Sequence, residues 1–225
     1  MEHYTISFLN MAVNLDTLIT MWLCMGLIII TAFLCTRKLT LVPSKPQFIM
    51  EKFMGFIWGL TDSMMGHEGK KHTPFIASLF IFILISNLCG QLPWRLYHLK
   101  HGELASPTND LNVTGALAII VLVYYVVSGI AKKKFKFFLH GTSIADIILF
   151  LVEILEMVTR PLTLALRLFG NVFAGEILIL AFIGICAYIV PLPMMIFELL
   201  VALIQTLVFT MLTMVYIGTA VNEEH

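Results

Sequence analysis

From Thr17 to Cys35 the chain runs nineteen residues without one charged side chain, and four further long apolar stretches follow it. A helix rises 1.5 Å per residue, so nineteen residues reach about 28 Å, close to the ~30 Å hydrocarbon core of a bilayer. Few folds can accept such a run, and the feature predicts an all-α integral membrane protein. Composition agrees: 59% of the 225 residues are hydrophobic and 12% charged, too apolar a balance to cover a soluble domain of this size. Fourteen basic and fourteen acidic residues cancel to a net charge of zero, which gives no reason to expect a nucleic-acid partner.

The placement of the charges says more than their sum. The first span, 17–35, stops at Arg37-Lys38, and the positive-inside rule makes that end cytoplasmic and the N-terminus external. The opening "MEHYTISFLN" lacks a basic n-region and no small-residue cleavage site follows, so the run reads as a retained span. Residues 43–65 carry Glu51, Gly55, Gly59 and Asp62 on one narrow stripe, with apolar residues elsewhere. They read as an amphipathic helix at the cytoplasmic interface, or as one packed on its neighbours through Gly55-xxx-Gly59. A second span covers 75–92, a polar outer loop containing Pro107 covers 94–111, and a third span, 113–131, stops at "KKKFK". Both basic clusters then fall on one side of the membrane.

The last third is different. Residues 143–187 hold no strong stop except Pro161, and as one helix they would extend about 67 Å, over twice the core thickness. After Pro191 and Pro193, residues 194–221 would add about 42 Å more. Two overlong helices in succession predict an oblique hairpin beside three roughly perpendicular spans, with the "NEEH" terminus cytoplasmic, all within a single polytopic domain over 1–225.

Within this hairpin the stretch "TLALRLFGNVFAGEI" keeps Arg167, Asn171 and Glu176 in apolar surroundings. A charge at mid-bilayer costs about 2.5–3.5 kcal/mol on insertion scales, so some interaction must offset it. Arg167 has no acid at three or four residues in either direction, and Glu176 lies about 13 Å along the helix on the opposite side. Its counter-charge must come from another helix, another subunit or water. Glu153, Arg160 and Arg167 share a face at spacings of seven, with Glu156 four residues before Arg160. The group Glu153, Glu156 and Arg160 reads equally as a hydrated helix end or as part of a proton path. In the second long helix Glu198 and Gln205 share a stripe, and an antiparallel hairpin would bring Glu198 toward Glu176. Two carboxylates that close compete for one proton, which suits a relay, although both could instead be wetted at the interface. The small residues Ala165, Gly170, Ala174 and Gly175 permit close approach of a partner helix.

"RLFGNVFAGE" and "IQTLVFTMLTMVYIGTAVNEEH" closely resemble the subunit a family of bacterial F-type ATP synthases. The resemblance is strong over 143–225 and extends forward through "SNLCG" at 86–90 and the basic stops. It implies a stator subunit of the membrane motor, lying against a ring of c subunits whose carboxylates pass Arg167. The arginine would hold each carboxylate ionised and block direct leak between two offset half-channels. The family's outer half-channel positions fall on Asn171, Glu176, Glu198 and Gln205, with Asn87 nearby; the inner one involves Glu153, with Thr163 at its edge. Partners implied are the c-ring, the b subunits of the peripheral stalk, the remaining complex and membrane lipid, in a bacterial plasma membrane, with proton as the default ion. Some members carry histidine at Glu198 and aspartate at Gly90, so this chain departs from them at both places. No GxxxxGK[ST] loop is present, and the subunit is expected to carry ions without bond chemistry, cofactor or metal.

Two alternatives compete: a secondary transporter gripping an anionic substrate with Arg167, and a non-transporting scaffold. The first lacks a second copy of the 163–177 pattern, and the second leaves the intramembrane charges unexplained. His67, His72, His98 and His101 read as exposed loop histidines. Cys24, Cys35, Cys89 and Cys186, scattered without CxxC spacing, read as small buried hydrophobes.

Overall fold

Helices carry almost all of the computed structural model, which describes residues 5–8, 11–37, 39–91, 106–133, 144–185 and 191–221. In chain order they are α1 (Leu15–Thr36), α2 (Lys45–Met65), α3 (Gly69–Gln91), α4 (Leu111–Lys133), α5 (Ile144–Ile185) and α6 (Pro191–Val221). Single 3₁₀ turns at Gly66–Glu68 and Pro107–Asn109 precede α3 and α4. One small antiparallel hairpin, β1 (Thr5–Phe8) with β2 (Met11–Asn14), leads into α1, pairing Thr5 with Asn14 and Phe8 with Met11. The sequence did not announce these strands: two four-residue runs without an Asn-Gly turn carry little hairpin signal.

Five helices are long and apolar enough to cross a bilayer, and the chain is an all-α, multi-pass membrane protein. The exception is α2, which packs on α3 and α6. It does so through Ile57, Thr61 and Met65, whereas Gly55 and Gly59 are exposed, with nothing within 4 Å of where a Cβ would stand. Of the two readings of this stripe, packing through Gly55-xxx-Gly59 is not seen among the described residues, and the small, polar stripe faces outward. At Gly66 the backbone takes a φ of 63°, where a side chain would be strained, and its N–H caps the helix by donating to Asp62 O. Gly69 then lets α3 turn back closely, since a Cβ there would lie 2.7 Å from Thr61 O.

α3 starts at Gly69 and takes in Pro74, which sits in its second turn. His72 consequently lies on a helix, 9% exposed and 2.9 Å from the Tyr124 hydroxyl, not in an exposed loop. α5 likewise runs unbroken through Pro161 for 42 residues, about 63 Å. The core has two clusters. Ile57, Met65, Ile76, Met214 and Ile217 join α2, α3 and α6. Leu79, Ile83, Val121, Leu164, Leu168 and Phe209 join α3 through α6. α6 contributes to both clusters, so its polar side chains are carried into the centre of the bundle.

Candidate functional site on the two longest helices

The helical period of α5 turns one stripe of residues into the core and another out of it. Leu164, Ala165, Leu168 and Val172 are buried, while Thr163, Arg167, Asn171 and Ala174 are exposed. The outward set steps by three or four residues, so it forms one continuous face. On it Gly170 has nothing within 4 Å of a built Cβ, so small residues and an arginine share an open surface. Arg167 makes no hydrogen bond or ion pair among the described residues. Thr163 spends its hydroxyl on its own helix, donating to Arg160 O at 2.9 Å. Glu153 lies on α5 one heptad before Arg160, but its side chain falls outside those described.

Two turns before Arg167 the situation reverses. Arg160 pairs with Glu156, its guanidinium carbon lies 4.9 Å from the Tyr216 ring centre and 5.6 Å from that of Tyr125, and it reaches Thr219 Oγ1 at 3.5 Å. The expected i,i+4 pair is present, and aromatic faces from α4 and α6 complete its surroundings.

Toward the other end of the hairpin polar side chains converge. Asn171 Nδ2 donates to Gln205 Oε1 at 2.7 Å, tying α5 to α6. Gln205 is 4% exposed, and its Nε2 has no hydrogen-bond partner among the described residues. Glu176 and Glu198 are both buried. Glu198 lies against Gly175, where any Cβ would overlap its carboxylate, so the glycine admits the acid to the residue next to Glu176. The antiparallel hairpin does bring the two acids to one end. Asn87 on α3 meets α6 as well, donating to Ala202 O at 3.5 Å and to Thr206 Oγ1 at 3.4 Å.

Sequence reasoning missed the segment that closes this cluster. Residues 94–111 read as an outer loop, yet Ser106, Pro107 and Thr108 are buried. Thr108 Oγ1 donates to Asn87 Oδ1 at 2.8 Å, and Ser106 Oγ donates to Ser86 O at 2.9 Å while lying 2.7 Å from Thr108 Oγ1. Asn109 Nδ2 donates to Glu176. Gly90 is part of the same fit: a Cβ there would collide with the Ser106 side chain. Gly90 thereby admits the loop that carries Ser106. Hydrogen bonds connect Ser106, Thr108, Asn87 and Thr206 in one group, Asn109 with Glu176 in a second and Asn171 with Gln205 in a third, while Glu198 lies against Gly175.

No group of three or more His, Cys, Asp or Glu side chains suited to a metal occurs among the described residues. What the arrangement offers is a buried set of carboxylates, amides and hydroxyls at one end of a hairpin, and on its open face a cation with no counter-charge among the described residues. Such groups transfer protons or hold ions; they make no nucleophile–base pair.

Comparison with known proteins places these residues in context. A family model described as ATP synthase A chain matches residues 18–218. ATP synthase subunit a of Gloeobacter violaceus is 42% identical over 223 residues, covering 99% of this chain and 90% of that protein.

Proposed function

The chain belongs to the ATP synthase A chain family, and from that premise we propose that it is the stator half of a rotary proton path. Membership makes it a component of the proton-translocating membrane sector of an ATP synthase. In our reading it carries protons through two offset half-channels and performs no bond chemistry itself. The open α5 face bearing Arg167 meets a ring of c subunits, and a carboxylate on each ring member supplies the counter-charge that the described residues do not.

The observation that carries the reading is the contrast on one face of one helix. Arg167 is exposed and unpaired among the described residues, and Gly170 and Ala174 beside it leave room for another helix to approach. A cation there attracts a passing carboxylate in its ionised form and repels a proton that would otherwise cross directly. A proton falling through 100 mV releases about 2.3 kcal/mol, which is useful only when the shortcut is closed.

The outer half-channel runs through Glu176, Glu198, Gln205 and Asn171, with Asn87 held beside them by Thr206 and Thr108. Glu198 stands where some members use histidine and acts as the titrating group there. The inner half-channel uses Glu153, with Thr163 at its mouth. The b subunits of the peripheral stalk hold the chain against rotation. The protein resides in a bacterial plasma membrane with its N-terminus external and its C-terminus cytoplasmic. Membership of the ATP synthase A chain family supports this reading over a secondary transporter.

The deciding experiment is ATP-driven acidification of inverted vesicles containing assembled complex. Wild type is expected to acidify, and assembled Arg167→Ala to give none. Normal acidification by that variant would overturn the role assigned to Arg167.

A further inference from the structure

Cys24 on α1 and Cys89 near the end of α3 are 65 residues apart in sequence, yet their sulfur atoms are 3.4 Å apart. The Cys24 thiol donates toward the Cys89 sulfur. The two differ in access: Cys24 is 1% exposed, whereas Cys89 is half-buried. Cys35, the third free thiol described, has no such sulfur partner among the described residues. A disulfide bond is ~2.05 Å long, so closure asks the sulfurs to approach by about 1.4 Å. α1 can supply that movement, because it is the least enclosed by the rest of the chain of the five candidate spans, with 11% of its apolar window buried.

We propose that Cys24 and Cys89 form an oxidation-sensitive dithiol that closes to a disulfide and staples α1 to α3 beside the polar cluster. The oxidant is a peroxide. The accessible Cys89 sulfur attacks one peroxide oxygen; an S–O bond forms, the O–O bond breaks, and the departing hydroxide takes up the Cys89 proton as water. Cys24 then attacks the sulfenic sulfur; the S–S bond forms, the S–O bond breaks, and water leaves with the Cys24 proton. Two thiols lose two electrons, and one hydrogen peroxide becomes two waters.

The staple reaches function through Cys89's neighbours. Asn87 bonds Thr108 and Thr206, and Gly90 seats Ser106, so this end of α3 holds the loop whose Asn109 donates to Glu176. Resting on the half-channel reading, oxidation restrains that assembly and slows proton passage.

The test uses inverted vesicles treated with hydrogen peroxide, denatured in N-ethylmaleimide and analysed by peptide mass spectrometry, with acidification measured in parallel. A Cys24–Cys89 cross-linked peptide is expected, lost on treatment with dithiothreitol, absent from Cys24→Ser and from Cys89→Ser, and retained in Cys35→Ser. Acidification should fall by about two- to thirtyfold, the range produced by shifts in a coupled packing network, and recover on reduction. Recovery of both cysteines as alkylated thiols in treated wild type overturns the dithiol, as do cross-links running instead to Cys35 or Cys186. A Cys24–Cys89 cross-link with unchanged acidification overturns its control of proton passage. The mass measurement does not depend on pumping, so failure of the Arg167 experiment is distinguishable from failure here.

Discussion

Arg160 and Arg167 stand seven residues apart on one helix, and the fold treats them oppositely. Arg160 is enclosed by Glu156, Tyr125, Tyr216 and Thr219, all from this chain. Arg167 is exposed and receives nothing comparable among the described residues. An arginine whose cost is met internally is part of the bundle's architecture. One whose cost no described residue meets is open to a counter-charge from elsewhere, and its surroundings of Thr163, Gly170 and Ala174 leave space for one. Local spacing already set them apart, with Glu156 four residues before Arg160 and no acid so placed for Arg167; Tyr125, Tyr216 and Thr219 widen the difference.

The largest expected effects follow from exchanging their fates. Arg167→Ala abolishes pumping in assembled complexes, as argued above. Arg160→Ala should leave pumping per assembled complex nearly intact but destabilise the fold by about 1–2 kcal/mol, since it removes a half-exposed ion pair and two cation–π contacts. Thermal unfolding of the purified complex, set beside acidification normalised to assembled protein, measures both. Loss of pumping in a stable Arg160→Ala would break the comparison.

Two glycines sharpen it at the next scale. Gly170 lies on the open face with nothing near a built Cβ, so Gly170→Leu should not strain the chain and improves helix propensity. It should nevertheless block the approach of a partner helix and sharply reduce acidification. Gly175→Ala acts inside the chain: its methyl displaces the Glu198 carboxylate and should reduce pumping through the acid cluster, without disturbing the Arg167 face. If c-subunit co-purification weakens in Gly170→Leu but not in Gly175→Ala, the two faces of α5 are functionally distinct. Equal effects on co-purification would merge them.

How much of this the sequence displayed depended on contrast. Arg167, Glu176 and Glu198 stand out because charges are rare in apolar helices, and Asn171 and Gln205 follow by spacing. The helices are legible for a similar reason: their runs are long, and the breaks between them are polar or, before the last, marked by Pro191 and Pro193. Asn109, Thr108 and Ser106 are a different matter. In "SPTND" every residue favours an exposed turn, and what buries them is contact with α3 and α5, elements distant in sequence. At Gly55 and Gly59 two readings stayed open, because periodicity locates a stripe but cannot say which face of a helix its neighbours will cover. The cysteines were invisible as a pair, since a separation of 65 residues carries no spacing signal.

The smallest effect tests whether satisfied charges are in fact dispensable to pumping. At the end of the bundle where α3 begins, Glu68 pairs with Lys132 at 2.7 Å, tying the turn before α3 to the end of α4, and with Lys71 at 3.4 Å. The Lys132 hydrogen bond and charge, with a smaller contribution from Lys71, hold the Glu68 carboxyl below its ordinary range. A group depressed in the folded state stabilises it above the ordinary glutamate value and loses that contribution as pH falls through the folded value. The pair is therefore intact at neutral pH and fails only in acid. Glu68→Gln should abolish that acid-side loss of thermal stability while leaving acidification at neutral pH unchanged, because solvent-exposed pairs contribute little. A pumping defect in Glu68→Gln would mean that an internally paired charge also serves the proton path. The division drawn between Arg160 and Arg167 would then fail at its weakest point first.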